Sequence, residues 1–198
     1  FALNTYGEDP CLQFQLKGEH SGAEAEKELE IRMHKAISVI QFKVEGETIK
    51  RNPSFHLEKR NLLHLIDYET GKITLDGKEY ELLDHYFPTI DPKDPYALTE
   101  EEEDIMERLA CAFLNCEKLQ KHMRFLLNKG SLYKVYNNNL LYHGCVPLCE
   151  DGSLKTVRIY GHEYKGKSLY EVLESYVRKG FYAIDAGERQ RGRDMMWY

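Results

Sequence analysis

Thr99-Glu100-Glu101-Glu102 opens the most strongly signalled element of the chain. A threonine followed three residues later by a glutamate is a capping box. The hydroxyl caps a backbone N–H of the first turn, and the glutamate reaches back to the Thr99 N–H. The acidic run from Glu100 to Asp104 also lies at the positive end of the helix dipole. A solvated, dipole-matched helix start explains that run more simply than a metal or partner site. From there Ile105, Met106, Leu109, Ala110, Phe113, Leu114, Leu119, Met123, Leu126 and Leu127 form one apolar face. The pattern predicts one helix from Thr99 to about Asn128. Lys118, Lys121, His122, Arg124 and Lys129 crowd its C-terminal half, where cations are favoured, and Gly130 is its stop.

Upstream, Phe1–Lys17 reads as irregular, with Gly7 and Pro10 as breakers, and His20-Ser21-Gly22 as a loop. Ala23 to about Val44 predicts a helix. Ile31, Ile37, Ile40, Val44, Met33 and Phe42 keep one side apolar, and its first turns are acidic. Gly46 should weaken or kink it, and Pro53 ends whatever continues. Leu57–Ile66 predicts a second, shorter helix. Ile73–Tyr80 is a hairpin by its Asp76-Gly77 turn. Pro88, Pro92 and Pro95 make an extended connector.

Downstream, Leu132–Tyr136 and Leu140–His143 are two β-type runs around a turn at Asn137, Asn138 and Asn139. Glu150–Ser153 is a turn, Lys155–Tyr160 a strand, and Gly161-His162-Glu163 a second turn. A helix begins at Ser168, with Glu171 completing another capping box, and runs to about Lys179-Gly180. Gly187–Arg193 reads as a flexible, charged tail.

The net charge of −6 excludes a general nucleic-acid binder, which needs a basic field to attract phosphates. No run approaches a membrane span and no signal peptide opens the chain. Cys111 and Cys116 sit in a helical pattern among apolar residues, where buried thiols are common, and Cys145-x-x-x-Cys149 has no second pair at zinc-finger spacing. The five cysteines read as reduced thiols of a cytoplasmic protein. A start on Phe1 and an end on Asp194-Met195-Met196-Trp197-Tyr198 suggest a piece of a longer protein.

The chemistry-bearing stretch is His143-Gly144. A strand ending in His-Gly delivers an imidazole at a sheet edge, the placement a metal-ligating histidine needs. By spacing alone it is the end of a hairpin, because a single histidine never makes a site. A binuclear phosphoesterase requires several ligand motifs: Asp-x-His, Gly-Asp-x-x-Asp, Gly-Asn-His, a lone strand-end His and Gly-His. The first three are missing from this chain, and His143 is the one fit to the fourth. Gly161-His162 looks like the last motif but falls in a turn, which makes it a decoy. A thiol mechanism through Cys145 lacks a third group to orient His143. There is no phosphate-cradling loop, serine elbow or dinucleotide fingerprint.

Met33–Lys43 with Ile49-Lys50-Arg51-Asn52-Pro53, Ile66-Asp67-Tyr68, Ile73–Lys78, Glu117-Lys118-Leu119, His122-Met123, Lys129–Tyr133 and Asn139–Pro147 resemble the middle of the bacterial class III fructose-1,6-bisphosphatases. Asp194–Tyr198 also fits. Order and spacing agree in many separate blocks, and Phe1–Ala25 and Tyr182–Arg193 are the least covered parts. The resemblance implies an internal fragment of a calcineurin-like metallophosphoesterase that hydrolyses fructose 1,6-bisphosphate in gluconeogenesis, with manganese as its metal. It carries one metal ligand over to this chain, His143; the catalytic residues stay unassigned. It implies an α+β fold in which residues 1–129 are a mainly helical insertion with a small hairpin. Residues 130–198 would be a strand-strand-strand-helix part of the metallophosphoesterase α/β sandwich, with an incomplete sheet. Sugar phosphate is then the partner, with no nucleic acid and no membrane. The fragment alone should hold no metal and have no activity. The competing reading is a non-catalytic helical module for homo-oligomerisation or regulation.

Overall fold

A computed structural model describes residues 1–15 and 23–198, so the expected loop at His20-Ser21-Gly22 lies outside the described residues. The chain is α+β, with six α-helices and seven short strands among the described residues. It divides into two compact units, Phe1–Leu109 and Ala110–Tyr198.

The first unit is built on α2 (Glu24–Arg51). This helix runs past Val44 and straight through Gly46, against the expectation of a weak point there. A glycine inside a helix costs about 1 kcal/mol relative to alanine. Here it lets the Tyr96 ring lie directly on the helix, where any Cβ at Gly46 would collide with it. Burying an aromatic side chain contributes roughly 2 kcal/mol and offsets that cost. The helix ends at Asn52, and Pro53 starts a 3-10 turn, as expected of a residue that cannot continue a helix.

The buried stripe of α2 is Ile31, Lys35, Ala36, Val39, Ile40, Lys43, Gly46 and Ile49. Of the expected apolar face, Ile31 and Ile40 are buried, whereas Met33, Ile37, Phe42 and Val44 are exposed. The stripe is rotated because two lysines occupy it. Lys35 is 1% exposed and pairs with Asp9 and with Asp84 Oδ1 at 2.6 Å. Its ammonium stands 5.6 Å from the Tyr6 and Tyr86 ring centres and 5.4 Å from that of Phe87. Lys43 donates to Thr89 O at 2.6 Å and to Glu102 Oε2 at 2.7 Å. A long amine can be buried where carboxylates, carbonyls and aromatic faces replace its water.

At the N-terminus, Ala2–Tyr6 forms the short helix α1, where an irregular segment was expected. Arg32 from α2 donates to Tyr6 O at 3.0 Å and to Gly7 O at 2.8 Å. That places a cation on carbonyls left open at the end of α1. The predicted helix Leu57–Ile66 is replaced by two 3-10 turns, Glu58–Arg60 and Leu63–Leu65. β1 (Ile66–Asp67), β2 (Lys72–Leu75) and β3 (Lys78–Glu81) then make an antiparallel meander with Ile73 opposite Tyr80. Asp76 and Gly77 both have positive φ, as the predicted two-residue turn requires.

The Thr99 capping box is present. Thr99 N donates to Glu102 Oε2 at 2.9 Å, and Glu102 N donates to Thr99 Oγ1 at 3.3 Å. It starts α3 (Glu100–Asn115), which is separated from α4 (Glu117–Lys129) by Cys116 in an extended conformation. The single predicted helix is therefore two. Asn115-Cys116 is a pair of weak helix formers. The Gln120 side chain donates to Phe113 O at 3.2 Å, satisfying a carbonyl at the break. Much of the predicted apolar face is also open: Phe113 is 62% exposed, Leu109, Leu114 and Leu126 are exposed, and Leu127 is buried. Cys111 and Cys116 are exposed rather than buried.

After α4, the second unit holds two hairpins and two helices. β4 (Tyr133–Tyr136) pairs with β5 (Asn139–Tyr142), and β6 (Val157–Ile159) pairs with β7 (His162–Tyr164). Each pair is a separate two-stranded sheet, so the segment expected as strand-strand-strand-helix carries a fourth strand. α5 (Lys167–Tyr182) begins one residue before Ser168, so that serine makes no capping box; its hydroxyl bonds Lys165 instead. The expected flexible tail is also corrected, because it lies within α6 (Ala186–Trp197), capped by Asp185, whose side chain accepts from Glu188 N at 2.7 Å. α6 packs on α5 through Gly192 against Gly180, a contact that any Cβ at Gly192 would break. The local charge pattern of residues 187–193 hides that glycine contact.

Candidate functional site

The second unit contains the strand-end histidine. Asn137 and Asn138 both adopt left-handed φ, which short polar side chains tolerate, so β4 and β5 join by a tight turn. The register pairs Tyr133 with Tyr142 and Val135 with Leu140. His143 follows the last residue of β5, and its backbone N–H donates to Leu132 O at 3.4 Å. Gly144, at φ +81°, then turns the chain away.

Helix α5 holds this hairpin from one side. Glu174 accepts from Leu132 N at 2.6 Å and from the Ser131 hydroxyl. The Tyr133 and Tyr170 rings lie 5.9 Å apart, and the Tyr170 hydroxyl donates to Cys145 O at 3.1 Å. Desolvation raises the Tyr170 pKa, with Tyr142 and Cys145 adding to it, so this phenol remains a donor. Both ends of the hairpin are therefore tied to one rigid helix, and the His143 backbone has a defined place on it. Arg178 of α5 also donates to Leu127 O, a carbonyl at the end of α4. A largely apolar concavity of about 270 Å³, lined among others by Met123, Leu126, Glu174, Val177 and Arg178, lies beside this contact. The Glu174 and Arg178 groups in it are already engaged with backbone, so it reads as a packing groove.

His143 is exposed. Among the described residues no group of three His, Cys, Asp or Glu side chains could hold a metal ion. Among the described residues His143 therefore meets no ligand set, and those residues do not by themselves fit a metal. One imidazole competes poorly with water for a divalent ion. His162 starts β7, next to the Tyr160-Gly161 turn, where both residues have positive φ. Cys145 and Cys149 are exposed in the segment that follows His143.

The buried ionic groups of the first unit were not singled out by sequence reasoning. One signal could have found them: Lys35 and Lys43 are eight residues apart, on the helix face that carries Ala36, Val39 and Ile40.

The second unit is thus a helix-backed hairpin that presents one candidate ligand and no complete catalytic set among the described residues. A family model described as Firmicute fructose-1,6-bisphosphatase matches residues 1–198. The chain belongs to that family. It is 52% identical over 200 residues to the class 3 fructose-1,6-bisphosphatase of Clostridioides difficile (strain 630), covering 100% of this chain and 30% of that one. The class 3 enzyme of Clostridium botulinum (strain Alaska E43 / Type E3) is 50% identical, with the same coverages. That of Listeria innocua serovar 6a is 47% identical, over 100% of this chain and 31% of its own. The chain thus spans about 30% of the length of these curated relatives. No solved structure matches.

Proposed function

We propose that this chain is part of a phosphatase that hydrolyses fructose 1,6-bisphosphate to fructose 6-phosphate and phosphate, and that it has no such activity alone. The observation that carries this reading is the match along the whole chain to proteins named fructose-1,6-bisphosphatase class 3. The intact enzyme is read as cytoplasmic and dependent on a divalent metal, manganese, with sugar phosphate as substrate. No helix among the described residues is long and apolar enough to cross a membrane.

Within this reading His143 supplies one metal ligand, and the remaining ligands lie in polypeptide outside this chain. Its position after β5, on a hairpin fastened to α5, supports that assignment. Residues 130–198 are read as belonging to a metallophosphoesterase sandwich and residues 1–129 as a helical insertion. The exposed apolar side chains of β4 and β5, among them Val135, Leu140 and Leu141, suit strands that a larger sheet would cover. The contribution of this chain is placement: the hairpin and α5 hold the His143 backbone, and the metal chemistry belongs to the intact protein.

A specific observation favours a second role, assembly with another copy: Phe113, Leu114, Phe125 and Leu126 on α3 and α4 are exposed. Activity separates the two readings. In a polypeptide of the relatives' length that carries this chain, His143→Ala should lower metal-dependent phosphate release by at least about 100-fold, since even outer-shell partners of a metal matter at 10–100-fold. Unchanged turnover, with an altered mass in solution, would leave assembly as the better reading.

A further inference from the structure

Tyr170 and Glu174, four residues apart, lie on one face of α5. Both hold backbone next to His143. The Tyr170 hydroxyl donates to Cys145 O at 3.1 Å, two residues past the histidine. Glu174 is half-buried, and its Oε1 accepts from Leu132 N at 2.6 Å and from the Ser131 hydroxyl. Its other oxygen lies 3.7 Å from Arg178, whose guanidinium donates to Leu127 O and to Gly130 O. A helix-surface ion pair with Arg178 would be the plain account of Glu174. That contact is the long one, however, and the short ones go to the entry of β4.

Leu132 is the link from Glu174 to the histidine. The register that pairs Tyr133 with Tyr142 places Leu132 opposite His143. In an antiparallel ladder, residues directly opposite exchange two hydrogen bonds or none. Here half of the exchange is made: His143 N donates to Leu132 O at 3.4 Å. The Leu132 N–H has one proton to give, and it goes to Glu174 rather than to His143 O. A carboxylate is the better acceptor, because a charge-assisted hydrogen bond is roughly twice as strong as a neutral one. The ladder therefore stops one bond short, at the histidine, and Gly144 at φ +81° takes the chain away from the next position.

We propose that Glu174 is a positioning residue: by capturing the Leu132 N–H it ends the hairpin ladder at His143 and sets the place of the His143 backbone. The inference rests on the reading of His143 as a metal ligand. Glu174 acts through Leu132 and through no contact with the imidazole. Tyr170 holds the far side of the same histidine, at Cys145, so one face of α5 fixes the chain before and after the strand end.

Two variants test this: Glu174→Leu, which keeps the bulk and removes the acceptor, and Glu174→Gln, which keeps an acceptor oxygen. In the metal-free chain, the backbone amide resonances of Leu132 and His143 should both move in Glu174→Leu, those of β6 and β7 should not, and Glu174→Gln should restore them. Unmoved Leu132 and His143 amides in Glu174→Leu would overturn the proposal. In a polypeptide of the relatives' length that carries this chain, Glu174→Leu should lower kcat per folded molecule by at least about 10-fold with KM for fructose 1,6-bisphosphate kept within about twofold. Glu174→Gln should recover most of that loss. A lower thermal midpoint with kcat unchanged is the mark of a merely structural contact and would overturn it. Turnover kept in Glu174→Leu but lost in His143→Ala would defeat this inference alone; turnover kept in both would defeat the reading of His143 as well.

Discussion

Removing the Glu102 carboxylate is the sharpest test of how the first unit is held together. Glu102 Oε2 receives Thr99 N at 2.9 Å and Lys43 Nζ at 2.7 Å, and the two charged side chains are 1% and 0% exposed. Glu102→Ala leaves the Lys43 ammonium buried with Thr89 O as its remaining acceptor. Breaking a buried pair by deleting one partner costs about 3–5 kcal/mol. The lost cap adds roughly 1 kcal/mol. At about 4–8 °C per kcal/mol for a domain of around 100 residues, the midpoint of this unit should fall by roughly 15 °C or more. Thermal and urea unfolding followed by circular dichroism would read it. The paired replacement Lys43→Met with Glu102→Leu should recover most of the loss, because the desolvation penalty disappears with both charges. A loss under about 1 kcal/mol for Glu102→Ala, the size of a surface pair, would refute the buried pair.

Other consequences are equally direct. Gly46→Ala should destabilise the first unit by about 1–3 kcal/mol through overpacking against Tyr96, despite alanine's better helix propensity; equal or higher stability in urea would contradict that contact. Under native conditions a thiol reagent should titrate Cys111, Cys116, Cys145 and Cys149 quickly. Cys11, buried and with its thiol pushed up to about 11 by burial and by Asp9, should react only on unfolding. Burial acts to raise the Asp9 pKa, but the hydrogen bonds from Lys35 and from the Cys11 backbone outweigh it and the net shift is down. The folded value lies below the unfolded one, so the Asp9 contribution is complete above about pH 4–5 and is lost as pH falls through the depressed value. Acid titration of unfolding should therefore show stability dropping below about pH 4, and Asp9→Asn should flatten that slope.

Where local chemistry decides a structure, the residues told it in advance. Asp76-Gly77 and the asparagines after Tyr136 need left-handed backbone, and both form tight turns. Thr99 and Glu102 carry the complete capping box, and Pro53 ends α2 where it must. Where a distant partner decides, the reading failed. Gly46 looked like a weakness until Tyr96, fifty residues on, covered it. The Gly187–Arg193 charges concealed a helix whose one requirement is that Gly192 meets Gly180. Lys35 and Lys43 turned the buried face of α2 because their carboxylate partners come from residues 9, 84 and 102. The break at Cys116 is a milder case, since weak helix propensity at Asn115-Cys116 was visible but its consequence was not. The site divides the same way. The strand-end position of His143 could be read from its turn and its glycine. Its chemistry came from resemblance, because ligands that complete a metal site are not found among the described residues.

The central claim is the proposal that this chain, about 30% of its relatives' length, contributes one metal ligand, His143, to a site that it does not complete alone. Phosphate release from fructose 1,6-bisphosphate by the purified chain, measured with and without manganese, tests it most directly. The account predicts no metal-dependent release by the chain alone, and release by a polypeptide of the relatives' length that carries it. Turnover by the chain alone, dependent on manganese and lost in His143→Ala, would contradict the account.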